Sequence, residues 1–126
     1  MLKKLFLISL IISSSFVLIP SQGLALNLME SLYLKISIVE NGIEHEWEYT
    51  SPGKYEYEKG ERVIKTKVAK EEMHSIIKTL NLSKSAKIED MVKILKQERF
   101  PKLERLDIRW MDGENKLYTW VWIKNE

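Results

Sequence analysis

The most regular stretch of the chain covers residues 31–50, where apolar and polar positions alternate on both sides of Asn41-Gly42. Asn-Gly favours the type I′ turn, so this stretch predicts a β-hairpin with a two-residue loop. The turn sets the register. Glu40 falls opposite Ile43, Ile38 opposite His45, Ile36 opposite Trp47 and Leu34 opposite Tyr49 on one face, while Lys35 meets Glu48 and Ser37 meets Glu46 on the other. A slip of one residue would set Ile36 and Ile38 against glutamates, so turn chemistry and hydrophobic pattern agree.

Ser51-Pro52-Gly53 reads as a turn, and residues 54–58 alternate Tyr55 and Tyr57 with Glu56 and Glu58, which predicts a third short strand. Lys59-Gly60 breaks it. Residues 62–66 read either as a fourth strand or as the approach to a helix. Ala69, Met73, Ile76, Ile77 and Leu80 then recur at helical spacing, with Thr66 as the expected N-cap and Asn81 as the stop. A second amphipathic helix carries Ile88, Met91, Val92 and Leu95 on one stripe, with Ser85 as its expected N-cap, a Glu89–Lys93 pair one turn apart, and Pro101 closing it.

Leu106, Ile108 and Trp110 alternate with Arg105, Asp107 and Arg109, so the next strand has one apolar and one charged side. Asp112-Gly113 marks a turn. The last strand is apolar on both sides: Leu117, Thr119, Val121 and Ile123 alternate with Tyr118, Trp120 and Trp122. The order is β-β-β-(β)-α-α-β-β. Short connections favour antiparallel pairing and one-sided helices need a sheet to cover, which predicts an α+β two-layer sandwich with an antiparallel sheet of four to six strands and two helices on one face. Leu34, Ile36, Ile38, Trp47, Leu106, Ile108 and Trp110 are its expected core.

Ahead of this domain, residues 1–25 show Lys3 and Lys4, an apolar run over residues 5–19, then Pro20 and a small-residue stretch ending in Ala25. That is the pattern of a cleaved export signal. As a helix the run spans about 22 Å against roughly 30 Å of hydrocarbon, too short for a comfortable anchor. The expectation is a secreted single domain over residues 26–126, with no stable membrane insertion once the signal is removed. Of 20 basic and 18 acidic residues, the two signal lysines are the only charges in the first 25 positions, so the mature charge is zero. A neutral domain lacks the cationic excess that nucleic acid requires. With no cysteine, disulfides and thiolate metal sites are excluded.

Catalytic and metal signatures are sparse. No nucleophile elbow, zinc-helix motif or glycine-rich phosphate loop occurs, so neither a cofactor nor a metal is expected. Glu44, Glu46 and Glu48 share one strand face and read as a solvated stripe balanced by Lys35 and the arginines. His45 and His74 lie on different elements, as rim and stripe-border residues.

The two-sided last strand carries the functional expectation. If its loop has an even number of residues, Tyr118, Trp120 and Trp122 stand exposed beside Tyr33, Arg105 and Arg109, a platform on the order of several hundred Å² suited to a protein partner or an extracellular polymer. If the loop holds one extra bulge residue, the faces exchange and the exposed side is aliphatic. The leading expectation is a non-enzymatic binding module using the aromatic and arginine-bearing face. The alternatives are a small hydrolase working through paired carboxylates and a homodimer stacked through the same face.

Overall fold

The computed structural model describes residues 26–65 and 67–125; the expected export signal and the expected cap at Thr66 lie outside them. A single 3-10 turn, Leu28–Glu30, leads into β1 (Ser31–Glu40), β2 (Ile43–Thr50), β3 (Lys54–Lys59) and β4 (Arg62–Ile64). Two helices follow, α1 (Lys67–Leu80) and α2 (Ile88–Glu98), and then β5 (Leu103–Asp112) and β6 (Leu117–Ile123). The strands form one antiparallel sheet in the order β4-β3-β2-β1-β5-β6. Both helices lie on one face, α1 over β2 and β3 and α2 over β5 and β6, so the α+β sandwich is the observed architecture.

The β1–β2 register is the one that Asn41-Gly42 dictates, with Ile36 against Trp47 and Leu34 against Tyr49. Asn41 and Gly42 have φ of 51° and 73°, the left-handed pair that a type I′ turn requires. Residues 62–64 form the fourth strand, at the sheet edge.

Asn81, with φ of 50°, ends α1. Its N–H donates to the Lys78 carbonyl and the Leu82 N–H to the Ile77 carbonyl, the two bonds of a Schellman motif, with Leu82 buried behind them. The start of α2 differs from expectation. Its cap position is Lys87, without a side-chain cap bond, because Ser85 lies two residues too early and its hydroxyl pairs with that of Ser83 instead. Glu89 and Asp90 in the first turn supply the negative charge that the helix N-terminus favours.

The core fills the space between the layers. Leu34, Ile36, Ile38, Trp47, Leu106 and Ile108 are fully buried and Trp110 nearly so, facing Ala69, Met73, Ile76 and Leu80 of α1 and Met91 and Leu95 of α2. At one end the Glu72 carboxylate accepts from the Trp47 indole (3.4 Å) and from the Arg99 guanidinium (2.8 Å), clipping α1, β2 and the end of α2 together. His45 sits here on the helix side, stacked on Trp47 and edge-on to Phe100, within 3.2 Å of the Tyr57 hydroxyl. Burial, then the nearby Lys59 and Arg99 charges, push its pKa down.

Two substitutions separate turn strain from packing. A Cβ at residue 42 meets no atom within 4 Å, so Gly42→Val tests backbone strain alone and is expected to cost about 1–2 kcal/mol. Ile36→Ala opens a cavity in the fully buried centre and is expected to cost about 2–5 kcal/mol, both read as shifts of the urea midpoint.

Candidate functional site

The connection between β5 and β6 decides which surface is open. Three residues, Gly113, Glu114 and Asn115, separate Asp112 from Lys116, and Asn115 adopts φ of 62°. The Asp112 N–H donates to the Lys116 carbonyl (3.0 Å) and the Asn115 N–H to the Asp112 carbonyl (3.2 Å). One Asp112 carboxylate oxygen accepts the N–H groups of Glu114 (2.9 Å) and Lys116 (3.0 Å), and the other accepts the Lys84 ammonium (2.9 Å). A Cβ on Gly113 would lie 2.7 Å from the Glu30 carbonyl oxygen, so glycine is required for that close approach. The Lys84 bond, with the backbone donors behind it, holds the Asp112 carboxyl below its ordinary range and raises Lys84.

An odd loop length selects one parity. Leu117 pairs with Met111, Tyr118 with Trp110, Trp120 with Ile108 and Trp122 with Leu106. Tyr118, Trp120 and Trp122 are therefore on the helix side, half-buried. The Trp120 indole donates to the Ala86 carbonyl at 2.8 Å, Tyr118 lies against Trp110 at 5.3 Å between ring centres, and Lys96 sits 5.0 Å above Trp122. Lys84 and Lys116 approach the Tyr118 ring at 5.4 and 5.2 Å. This corrects the expected platform: Tyr33, Arg105 and Arg109 occupy the opposite face, so the six residues do not assemble into one surface. The extra loop residue is the reason.

The face away from the helices is ordered in strips. Along β6 it presents Leu117, Thr119, Val121 and Ile123, with Leu117, Val121 and Ile123 between 53% and 61% exposed. Next to them on β5 stand Arg109, paired with Thr119, and Arg105, paired with Ile123. Asp107 lies between the two arginines and serves both, at 3.6 Å from Arg109 and 3.4 Å from Arg105. A shallow depression of about 220 Å³ is lined by Lys35, Ser37, Val39, Glu44 and these three residues. Half-buried Tyr33 has its pKa raised, first by burial and then by Glu48.

The glutamate strip lies on β2 and β3. Lys35 bonds Glu46 at 3.1 Å, which raises the lysine pKa, and Lys54 and Lys65 both reach Glu56. Among the described residues no group of three or more potential metal ligands converges, and no helix is long and apolar enough to cross a membrane. His74 is exposed near Tyr55, on a different element from His45.

The two edges of the sheet differ. On one side β4 is three residues long and begins with Arg62. On the other, β6 offers seven consecutive residues without charge or proline, and among the described residues no strand pairs with its outer side. An alignable, uncharged edge of this kind is what monomeric sheets normally shorten or charge. The loop sequence carried a signal for this outcome: an aspartate followed three residues later by an asparagine that tolerates left-handed φ fits a three-residue loop ending in a bulge. Comparison with family models, with curated proteins and with solved structures gives no match.

Because the folded state holds Asp112 ionised below its ordinary range, its contribution to stability is present above about pH 3.9 and is lost as the pH falls through the depressed folded value. Asp112→Asn keeps an acceptor oxygen and removes the titration. Urea midpoints at pH 6 and pH 3 are expected to differ less in this variant than in the wild type.

Proposed function

We propose that the protein is a secreted, non-enzymatic binding module that engages a protein partner through β6 and the adjoining Leu117, Val121, Ile123, Arg105 and Arg109 surface. The single observation that carries the reading is the seven-residue, uncharged strand that stands at the sheet edge among the described residues and whose side chains on the face away from the helices are aliphatic. Unpaired N–H and C=O groups along such a strand are unsatisfied hydrogen-bonding capacity beside exposed apolar area, and a partner answers both at once. A sugar polymer is less well served. It needs an open aromatic plane, and Tyr118, Trp120 and Trp122 are turned to the helix side under lysine side chains. The carboxylates Glu46, Glu56 and Asp107 are matched by lysine or arginine rather than facing one another across a cleft, which favours binding over acid-base hydrolysis.

Selection of displayed random ten-residue peptides against the purified exported protein tests this reading. Binders are expected to be enriched, and Val121→Lys is expected to weaken them by about tenfold or more by charging the apolar strip. Val63→Lys, on the opposite edge strand, is expected to leave them unchanged. Absence of any enriched peptide, or binding indifferent to Val121→Lys, overturns the proposal.

A further inference from the structure

Resting on that binding reading, we infer that the partner adds to the outer edge of β6 as an extended strand, and that on the arginine-bearing side this strand carries an acidic residue between two aliphatic ones.

The extended conformation follows from what β6 leaves open. β5 pairs with all seven residues of β6 on its inner side, from Arg105 against Ile123 to Met111 against Leu117, so the outer side keeps the alternate backbone groups of a straight strand. Only another strand matches that spacing along its whole length, and main-chain bonds then supply affinity while side chains supply selectivity.

The side-chain preference follows from the strips. Neighbouring strands lie about 4.8 Å apart, so an added strand lies roughly 10 Å from β5. On the face away from the helices its residues would stand beside Leu117, Thr119, Val121 and Ile123 in turn. Leu117 and Val121 call for apolar neighbours, both being more than half exposed. Thr119 is short, and directly behind it is Arg109, whose long side chain is 62% exposed and can lean across it. Arg109 has donors to spare. Among the described residues its ion pair and that of Arg105 both go to the single carboxylate of Asp107, and Glu44, which lines the same depression, pairs with neither, so two guanidiniums with up to ten N–H donors share one paired anion. A carboxylate on the added strand opposite Thr119 supplies the missing partner, and a bidentate arginine–carboxylate pair gives position as well as energy.

The opposite face has the same sign. Lys96 over Trp122 and Lys116 over Tyr118 have no acidic partner among the described residues, and Lys124 closes the end of the strand. This surplus also decides against a second copy of the chain at this edge. Antiparallel pairing of β6 with its own copy in the symmetric register would set Lys116 opposite Lys124 at each end of the seam, like charges at close quarters, and would place Val121 rather than a carboxylate opposite Thr119. An anionic strand removes that conflict.

Three capped synthetic peptides test the inference on the purified exported protein. The first has the sequence Thr-Val-Thr-Glu-Thr-Val-Thr, the second replaces its glutamate by lysine, and the third replaces its central glutamate by proline. The first is expected to bind at least tenfold tighter than the second, to lose affinity with added salt, and to protect β6 amides from hydrogen exchange; the third is expected not to bind. Arg109→Glu is expected to reverse the preference between the first two, and Arg109→Gln to abolish it, with circular dichroism showing that both variants fold.

Equal affinity for the glutamate and lysine peptides overturns the acidic preference while leaving the binding reading standing. Protection of α1 or β4 in place of β6 overturns the strand-addition mode. Concentration-dependent self-association with β6 amides protected in the absence of peptide identifies a second copy as the occupant and overturns the inference. If library-selected peptides bind and respond to Val121→Lys but the glutamate peptide does not bind, only the inference fails; if neither binds, both readings fail.

Discussion

Two short helices with apolar stripes on one side each can cover a six-stranded sheet only once, and every other feature of the molecule is arranged around that shortage. The stripes of α1 and α2 meet Leu34, Ile36, Ile38, Trp47, Leu106 and Ile108, and these residues lose essentially all contact with water. The buried layer is where stability resides, because apolar burial is proportional to area and the charged face offers no comparable gain. Ion pairs such as Lys35–Glu46 and Arg105–Asp107 lie at or near the surface, where each is worth about 0–1 kcal/mol. Their arrangement is better understood as a pattern of charge presented to the surroundings than as a source of cohesion.

Asp112 has an influence out of proportion to its size. It accepts two backbone N–H groups of its own loop and the ammonium of Lys84 from the connection between the helices, so it closes the final hairpin and ties it to the helical layer. The loop so closed has an odd number of residues. Because side chains on a strand alternate with period two, that one residue turns Tyr118, Trp120 and Trp122 toward the helices and Leu117, Val121 and Ile123 away from them. The aromatics extend the core to the edge of the sheet, where Lys96 of α2 lies over Trp122 and Lys84 and Lys116 lie over Tyr118.

The resulting sheet is asymmetric across its width as well as between its faces. The glutamate-rich strands β2 and β3 and the short β4 lie on one side, where Gly60 donates back to the Glu44 carbonyl and the edge ends after three residues. On the other side the arginines of β5 adjoin an edge strand with neither charge nor interruption. Among the described residues a sheet edge, an aliphatic strip and two arginines sharing one aspartate coincide there. The functional reading rests on that coincidence and not on any single residue.

Much of this was legible in the residues alone, wherever local chemistry and the hydrophobic period carried the information. Asn41-Gly42 determined the first hairpin and its register, the helical stripes determined what would be buried, and Asn81 marked the end of α1, because φ preferences and apolar spacing act over a few neighbouring positions. Ser85 has the chemistry of a cap for α2 but does not serve as one, since several polar residues precede the helix and only the packed path of the chain selects among them. The residues of β6 do not choose its buried face, for a related reason. Leu117–Ile123 is apolar on both sides, so its pattern has no preferred orientation; the choice fell to a three-residue loop braced by Lys84 and by the close approach of Gly113 to Glu30. These are contacts between segments distant in sequence, and only the tertiary structure brings them together.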